Sequence, residues 1–345
     1  MAEIAGVDLD VLAKWMDAQG LGSGPIEDAG LIAGGTQNIL LRFTRSGRGY
    51  VFRRPPPHKR ANSDETMRRE ARVLAALAGS DVPHPALIAA HGDVELLGAA
   101  FYLMEPVDGF NATVGLPELH RTDPDVQRSM GLSMADAIAA VGRVDIEAAG
   151  IADLGKPVGW LERQVERWRS HLASYDAVDG YRGADIPGVE EVAAWLDAHR
   201  PASWTPGLIH GDFHFANVLI RPDRGELAAI VDWELTTIGD PLLDLGWLLA
   251  TWPRPDGPVA GAVGIQPWDG FPVAEELVAR YGERSDRDLG AIAWYEVLAC
   301  YKLGIILEGT HARACAGQAD RAIGDQLHAS TVGLFQRAVE RIAAS

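Results

Sequence analysis

The sequence predicts an α+β protein with a small, sheet-rich N-terminal lobe and a larger, mostly helical C-terminal lobe. Strand-like segments are concentrated in the first part of the chain, and apolar residues recur at helical spacing from Pro117 onward. The distribution of tryptophan along the chain is equally uneven, because only Trp15 precedes residue 159 and the other nine follow it. The two parts should therefore have different cores, and we place the lobes at 1–107 and 108–345.

The N-terminal lobe is predicted to hold a sheet and one helix. Runs rich in β-branched, aromatic and aliphatic residues, bounded by glycine and proline, indicate strands over 30–33, 39–44 and 49–54. A helix should follow over 64–78, because Met67, Leu74 and Leu77 form one apolar stripe. A further strand over 99–104 comes after a connection rich in Pro, His and Gly.

The C-terminal lobe is predicted to be helical except for one β segment over 207–232. Apolar residues recur at helical spacing over six ranges, namely 127–143, 159–173, 189–199, 273–281, 288–308 and 319–343. The β segment interrupts this pattern with short apolar runs and a polar loop between them. We expect the cleft between the lobes to lie near 105–110.

Charge and composition exclude several classes of function. The 345 residues include 31 Lys and Arg and 48 Asp and Glu, which gives a net charge of −17. Such a chain is a poor match for the phosphates of nucleic acid or for anionic membranes. The apolar runs are interrupted by Asp244, Glu296 and Lys302, and the start lacks a basic leader. We therefore expect a soluble, cytoplasmic protein that binds a small molecule, and the sequence leaves its oligomeric state open.

The β segment, LIHGDFHFANVLIRPDRGELAAIVDWE, carries the candidate chemistry. Two strands flank the turn formers of 222–226, so they should form an antiparallel hairpin. A turn centred between Arg224 and Gly225 pairs Asn217 with Asp232. An amide oxygen beside a carboxylate suits Mg²⁺ bound with a nucleotide. Asp212, on the loop before Asn217, is then positioned to accept a hydroxyl proton.

The spacing of HGDFHFAN, a hairpin and VDWE resembles the aminoglycoside phosphotransferase and choline kinase family, which has a protein-kinase-like fold. The likeness runs from GGTQN to GDPLLDLG. It implies that Asp212 is catalytic and that Asn217 and Asp232 hold Mg²⁺. It also implies that His210 organises the catalytic loop and that Asp244 supports it. The RRPP, LERQVERW and VDWELTTIGDP segments are most similar to the family members fused to acyl-CoA dehydrogenases.

The same resemblance implies a nucleotide site in the N-terminal lobe. The GGTQN segment corresponds to the family's phosphate-covering loop, with backbone N–H donors at Gly35, Thr36 and Gln37. Arg53 aligns with the phosphate-gripping Lys of the family, and Arg54 is the alternative. The basic segment 53–72, with seven cations and three anions, should make this side of the site positive.

Two further features complete the predicted nucleotide site. Glu70 lies on the apolar stripe of the predicted helix, and an inward-facing carboxylate needs a cation, so we expect it to pair with Arg53. The segment YLMEPVDG matches the interlobe hinge, where backbone groups of Glu105 and Val107 are expected to bind adenine.

Together these features predict an ATP- and Mg²⁺-dependent kinase acting on a hydroxyl of a small molecule, with GTP as the alternative donor. An acidic acceptor lobe suits a cationic aminoglycoside. Aromatic residues suit an apolar or hydroxyacyl acceptor, namely Trp233, Trp268, Trp294 and Tyr295. Two other classes remain open, a pseudokinase that only binds nucleotide and a metal-dependent hydrolase built on four residues, His210, Asp212, His214 and Asp232.

Overall fold

The computed structural model describes residues 3–32, 38–59, 61–254 and 264–345. The predicted α+β class is confirmed, because a sheet-rich N-terminal region precedes a helical C-terminal region. The predicted lobe boundary falls in segment 105–109, which joins the last strand of the sheet to the helical region. The division at residue 107 itself stays a prediction.

The N-terminal region contains seven strands and two helices within the described residues. In chain order they are β1 (Glu3–Ile4), β2 (Val7–Asp8), α1 (Leu9–Ala18), β3 (Glu27–Leu31), β4 (Ile39–Arg45), β5 (Arg48–Arg54), α2 (Ser63–Ala76), β6 (Leu87–His91) and β7 (Phe101–Met104). The last five strands form one antiparallel sheet in the order β3-β4-β5-β7-β6. Helix α1 was not predicted, although Leu9, Leu12 and Met16 recur at helical spacing and are buried.

The C-terminal region is built from eight helices and four short strands within the described residues. In chain order they are α3 (Glu118–Thr122), α4 (Pro124–Arg143), α5 (Gln164–Ser174), α6 (Val189–Ala198), β8 (Gly207–Ile209), β9 (Val218–Ile220), β10 (Leu227–Ile230), β11 (Thr237–Gly239), α7 (Leu242–Thr251), α8 (Ala274–Arg284), α9 (Ile292–Cys315) and α10 (Arg321–Ala343). Strand β8 pairs with β11, and β9 pairs with β10, both antiparallel. These strands hold the loops of the candidate site on the helical core.

Helix α7 was missed by the sequence analysis for a physical reason. All ten of its residues are buried, so the helix has no polar face and its sequence shows no 3.6-residue alternation. It packs against α9, and the two helices approach closely at Gly246. A Cβ atom at Gly246 would lie 2.5 Å from the carbonyl carbon and oxygen of Tyr295. Glycine is therefore required where these two core helices cross.

Helix α9 lies at the centre of the C-terminal region. The described stretch Leu289–Cys315 is long and apolar enough, by length and composition alone, to cross a membrane, with a mean hydropathy of 1.4. However, 61% of its apolar window is buried inside the protein, and α9 packs against both α7 and α10. The helix therefore has the surroundings of a core helix.

We predict that Gly246→Ala destabilises the protein by about 1–3 kcal/mol, because the added methyl group forces α7 away from α9. Gly→Ala in an unobstructed helix would instead stabilise by up to about 1 kcal/mol. Urea denaturation compares the variant with Gly30→Ala, where no heavy atom of the described residues, apart from the two chain neighbours, lies within 4 Å of the added Cβ. Equal unfolding midpoints for the two variants would contradict close packing at Gly246.

Candidate active site

A buried carboxylate holds the loop from His210 to Asn217, which connects β8 to β9. Asp244, in the first turn of α7, accepts hydrogen bonds from the backbone N–H groups of His210 at 2.6 Å and Gly211 at 2.9 Å. Gly211 has a φ of +89°, and a Cβ there would lie 2.7 Å from the Leu235 carbonyl oxygen. The loop conformation therefore requires both the glycine and the carboxylate.

His210 is fully buried, and backbone groups engage both of its ring nitrogens. Its Nε2 lies 3.0 Å from the Val231 carbonyl oxygen, and its Nδ1 accepts from the backbone N–H of Asp212 at 3.3 Å. These partners assign the proton to Nε2. Within the described ranges, neither His210 nor His214 belongs to a group of three metal-ligating side chains. Because backbone groups engage both ring nitrogens of His210, this arrangement disfavours the hydrolase alternative, which uses His210 as a metal ligand.

Asp212 presents a hydrogen-bonded carboxylate at the open side of the loop. Its Oδ1 lies 3.2 Å from His214 Nε2, and its Oδ2 accepts from Asn217 Nδ2 at 2.9 Å. Burial alone would raise the pKa of Asp212. The hydrogen bond from His214, the electrostatic attraction of the His214 and His210 rings, and the Asn217 hydrogen bond outweigh burial and lower that pKa to about 2. The side chain is therefore a carboxylate at neutral pH.

The β9–β10 hairpin is antiparallel as predicted, but the predicted pairing of Asn217 with Asp232 is wrong by one residue. The Val231 N–H donates to the Asn217 carbonyl oxygen at 2.9 Å, so Asn217 is level with Val231. The cause lies in the turn, because the Arg221 N–H donates to the Glu226 carbonyl oxygen and Leu227 pairs with Ile220, so the turn is centred between Asp223 and Arg224, one residue earlier than predicted. An irregularity between Leu227 and Ala229 then moves the register by one residue toward the predicted pairing. Asp232 follows in a left-handed conformation, with φ 65° and ψ 63°.

Arg53 joins the two lobes at this point. Its Nε lies 3.0 Å from Glu70 Oε2 on α2, and its Nη2 donates to Asp232 Oδ1 at 2.7 Å. The Tyr102 hydroxyl donates to Glu70 Oε2 at 2.7 Å. Arg53 is 6% exposed and Glu70 only 1%. The structure thus brings the predicted pair together and adds Asp232 as a third member.

Burial sets the electrostatics of this cluster. Desolvation raises the pKa of Glu70 to about 7, against the opposing attraction of Arg53 and the Tyr102 hydrogen bond. Desolvation would lower the pKa of Arg53, but attraction by the Glu70 and Asp232 carboxylates and the hydrogen bond to Asp232 raise it overall. Arg53 therefore remains a cation, and an unpaired carboxylate at Glu70 would be strongly disfavoured.

The described cations of 53–72 other than Arg53 contact groups elsewhere in the protein, and Arg60 lies outside the described residues. Arg54 faces away from Glu70 and donates to the carbonyl oxygens of Pro55, Gly6 and Leu97. Arg53, and not Arg54, is therefore the arginine at the lobe junction. Arg69 donates to the carbonyl oxygens of Leu154 and Thr236 in the C-terminal lobe. Contacts away from the Arg53 cluster also occupy Lys59, Arg68 and Arg72.

The predicted hinge residues lie directly after β7. The Glu105 N–H donates to the Ala86 carbonyl oxygen at 2.9 Å, and its exposed carboxylate pairs with Arg48. Within the described part of the chain, no protein group engages the Val107 N–H. Three predicted site residues, Gly35, Thr36 and Gln37, lie outside the described residues.

Two site residues were missed by the sequence analysis. Tyr102 is opposite Arg53 in the sheet register, and strand alternation places it beside Glu70. Lys302 on α9 donates to the Gly211 carbonyl oxygen at 3.3 Å and lies 4.6 Å from the centroid of Trp247. The sequence did indicate Lys302, because this lysine lies inside the apolar run AWYEVLACYKLGIIL and an inward-facing cation needs a partner.

The predicted acceptor-side aromatic residues are mostly core residues. Trp233, Trp294 and Tyr295 are 4%, 2% and 1% exposed. The Trp233 ring packs edge-on against His210, with centroids 5.0 Å apart. Trp268 is partly buried and stacks on Phe271. The expectation that all four line a pocket is therefore wrong for the three buried rings.

A small sheet-and-helix lobe joined to a helical lobe, with a supported Asp–Asn loop at the junction, defines a small-molecule phosphotransferase with a protein-kinase-like fold. The model of the phosphotransferase enzyme family, APH, matches residues 28–294. The chain belongs to that family.

Individual relatives show the same relationship. Acyl-CoA dehydrogenase family member 11 of Rattus norvegicus is 30% identical over 82% of this chain, and the chain spans 36% of that relative's length. A crystal structure from Ralstonia eutropha JMP134, provisionally assigned as an aminoglycoside phosphotransferase, is 27% identical, has a TM-score of 0.80 and covers 97% of this chain and 99% of its own.

One neighbour is a complex with bound nucleotide. A thermostable aminoglycoside phosphotransferase APH(4)-Ia mutant with AMP-PNP and hygromycin B covers 93% of this chain and 99% of its own, with a TM-score of 0.57. At 17% identity it shows the shared fold alone.

We predict that the stability of the wild type relative to Lys302→Met rises between about pH 8 and 10.5. Burial lowers the folded-state pKa of Lys302 to about 8, from an ordinary value of 10.5. In that range the unfolded chain binds more protons at this site, so rising pH favours the folded state. Urea unfolding of both proteins at several pH values measures the difference. A difference independent of pH would contradict the lowered pKa.

Proposed function

We propose that this phosphotransferase moves the γ-phosphoryl group of ATP, with Mg²⁺, to a hydroxyl group of a small molecule. The observation that carries the proposal is the junction at Arg53, which contacts Glu70 from one lobe and Asp232 from the other. It places a buried cation beside the predicted metal-binding carboxylate, where nucleotide phosphates need neutralisation.

The donor set at the junction fits Mg²⁺. Asn217 uses its amide nitrogen to donate to Asp212, so its amide oxygen is the atom that would face a cation. The carboxylates of Glu70, Asp232 and Glu234 offer oxygen atoms within 4.8 Å of one another. Hard oxygen ligands of this kind suit Mg²⁺, and Asn217 and Asp232 would hold it. When bound, Mg²⁺ neutralises charge on the nucleotide phosphates.

The residues of the chain then perform three tasks. Asp212, held by His214 and Asn217, accepts a hydrogen bond from the acceptor hydroxyl and orients it, because each carboxylate oxygen keeps a second lone pair. Arg53 balances phosphate charge. The Glu105 carbonyl and the Val107 N–H form the adenine-binding edge.

Two acceptor classes follow from the comparisons. The solved neighbours named aminoglycoside phosphotransferases favour a polyhydroxylated acceptor, and the net charge of −17 would attract a cationic one. The relative named as an acyl-CoA dehydrogenase family member favours a hydroxyacyl compound as the second candidate, because a kinase segment joined to such an enzyme would handle a related substrate.

A ligand screen separates these acceptors. Thermal shifts are measured with ATP or GTP, each with and without Mg²⁺, alone and with aminoglycosides, amino alcohols, sugars or hydroxyacyl-CoA compounds. Mass spectrometry then detects an acceptor heavier by one phosphoryl group. Nucleotide binding without a phosphorylated product from any acceptor would favour the pseudokinase alternative.

We predict that Asp212→Ala lowers turnover of the acceptor found in this screen by ~10²- to 10⁴-fold. The nucleotide dissociation constant should change little, because the lost carboxylate acts on the acceptor. Asp212→Asn, which keeps the size of the side chain, should show a similar loss if charge is what matters. Turnover within twofold of wild type in both variants would remove Asp212 from the mechanism.

We predict that Arg53→Lys weakens nucleotide binding by about tenfold or more, since one ammonium cannot reproduce the guanidinium contacts with Glu70 and Asp232. Isothermal titration with Mg·ATP measures the affinity. Arg42→Lys on the neighbouring strand is the matched control, because Arg42 is exposed. Equal affinities for the two variants would mean that Arg53 serves only to hold the lobes together.

A further inference from the structure

Helices α9 and α10 form an antiparallel hairpin. A second cluster of metal-ligating side chains lies near the loop that connects the two helices. His328 Nδ1 lies 2.8 Å from Glu308 Oε2, and one turn closer to the hairpin loop His311 Nδ1 lies 3.4 Å from Asp325 Oδ1. The cluster begins six residues after Lys302, about 9 Å further along α9. It is therefore separate from the residues proposed for phosphoryl transfer.

The sequence spacing explains why these groups meet. Glu308 and His311 are three residues apart on α9, and Asp325 and His328 are three apart on α10, so each pair lies on one face of its helix. One oxygen of Glu308 and one ring nitrogen from each of His311 and His328 lie within 4.8 Å of one another. Ligand atoms around a tetrahedral zinc ion are about 3.3 Å apart, so small side-chain movements would close the site.

The hydrogen bonding in the cluster is complete at Glu308 but not at His311. The fully buried Glu308 accepts from the Tyr181 hydroxyl at 2.8 Å and contacts His328. His311 Nδ1 is buried and makes no hydrogen bond within the described part of the chain. The two imidazole rings stack with centroids 4.7 Å apart, near the separation of about 5 Å for two histidines on one zinc ion.

We propose that Glu308, His311 and His328 bind a divalent transition-metal ion of the Zn²⁺ class. Two imidazoles and one carboxylate favour such ions over Mg²⁺, which prefers oxygen ligands. Tyr181 holds the second oxygen of Glu308 and so fixes the orientation of the carboxylate. Asp325 is the nearest additional oxygen donor.

A bound metal ion would link α10 to α9 whether or not nucleotide is bound. His311 is 14% and His328 28% exposed at the side chain, which leaves a path for an ion from solvent. The alternative is that the His328–Glu308 hydrogen bond is only a structural tie between the helices. In that case His311 would have no role in metal binding, and its ring could be replaced without effect on ion affinity.

The test uses tag-free protein treated with a chelator and then titrated with Zn²⁺ alone, followed by calorimetry and thermal shift. Co²⁺ is titrated in parallel, because its visible absorption reports nitrogen and oxygen coordination. We expect one ion per chain, a higher melting temperature and no competition from millimolar Mg²⁺.

The decisive variant is His311→Phe, which keeps the stacked ring but removes both nitrogen ligands. We expect it to weaken Zn²⁺ binding at least tenfold, as should Glu308→Gln. His199→Phe is the matched control, because His199 is exposed and stacks on Trp195 in the same way. Absence of stoichiometric Zn²⁺ binding to folded wild type, or equal affinity in His311→Phe and His199→Phe, would overturn the proposal.

Discussion

The geometry of the active site depends on one buried cation, the Arg53 guanidinium between Glu70 and Asp232. The three residues come from β5, from α2 and from the end of the β9–β10 hairpin. Removing one partner of such a buried group leaves an uncompensated charge, which typically costs about 3–5 kcal/mol. The sheet, the helix and the C-terminal lobe are therefore held in one mutual arrangement by this contact.

The helical core of the C-terminal lobe holds the loop from His210 to Asn217 in place. Asp244 from α7 holds two backbone N–H groups of the loop, and Lys302 from α9 holds the carbonyl oxygen of Gly211. Because α7 and α9 cross at Gly246 with no space for a side chain, their spacing is fixed. Close packing in the core therefore determines where Asp212 lies in the cleft, through the hydrogen bonds that Asp244 and Lys302 make with the loop.

Features with a local cause could be predicted from the sequence, and features set by tertiary contacts could not. Glu70 was found because one apolar stripe places it inward, and the loop from His210 to Asn217 was found by its spacing. The hairpin register was wrong by one residue because the sequence does not show that the turn is centred between Asp223 and Arg224, or that an irregularity follows Leu227. The contacts of the basic segment could not be predicted either, because sequence cannot show that Arg69 reaches Thr236 across the lobe boundary.

The contacts of α2 with the opposite lobe have a consequence for control of activity. Arg69 reaches the carbonyl oxygens of Leu154 and Thr236, and Arg72 binds Asp153 and the Gly150 carbonyl oxygen. Protein kinases use displacement of the corresponding helix, which breaks the lysine–glutamate pair, as an off state. Here Arg69 and Arg72 anchor that helix to the larger lobe. The Arg53–Glu70 pair is already formed in this structure, and these contacts oppose a displacement of α2 that would break it.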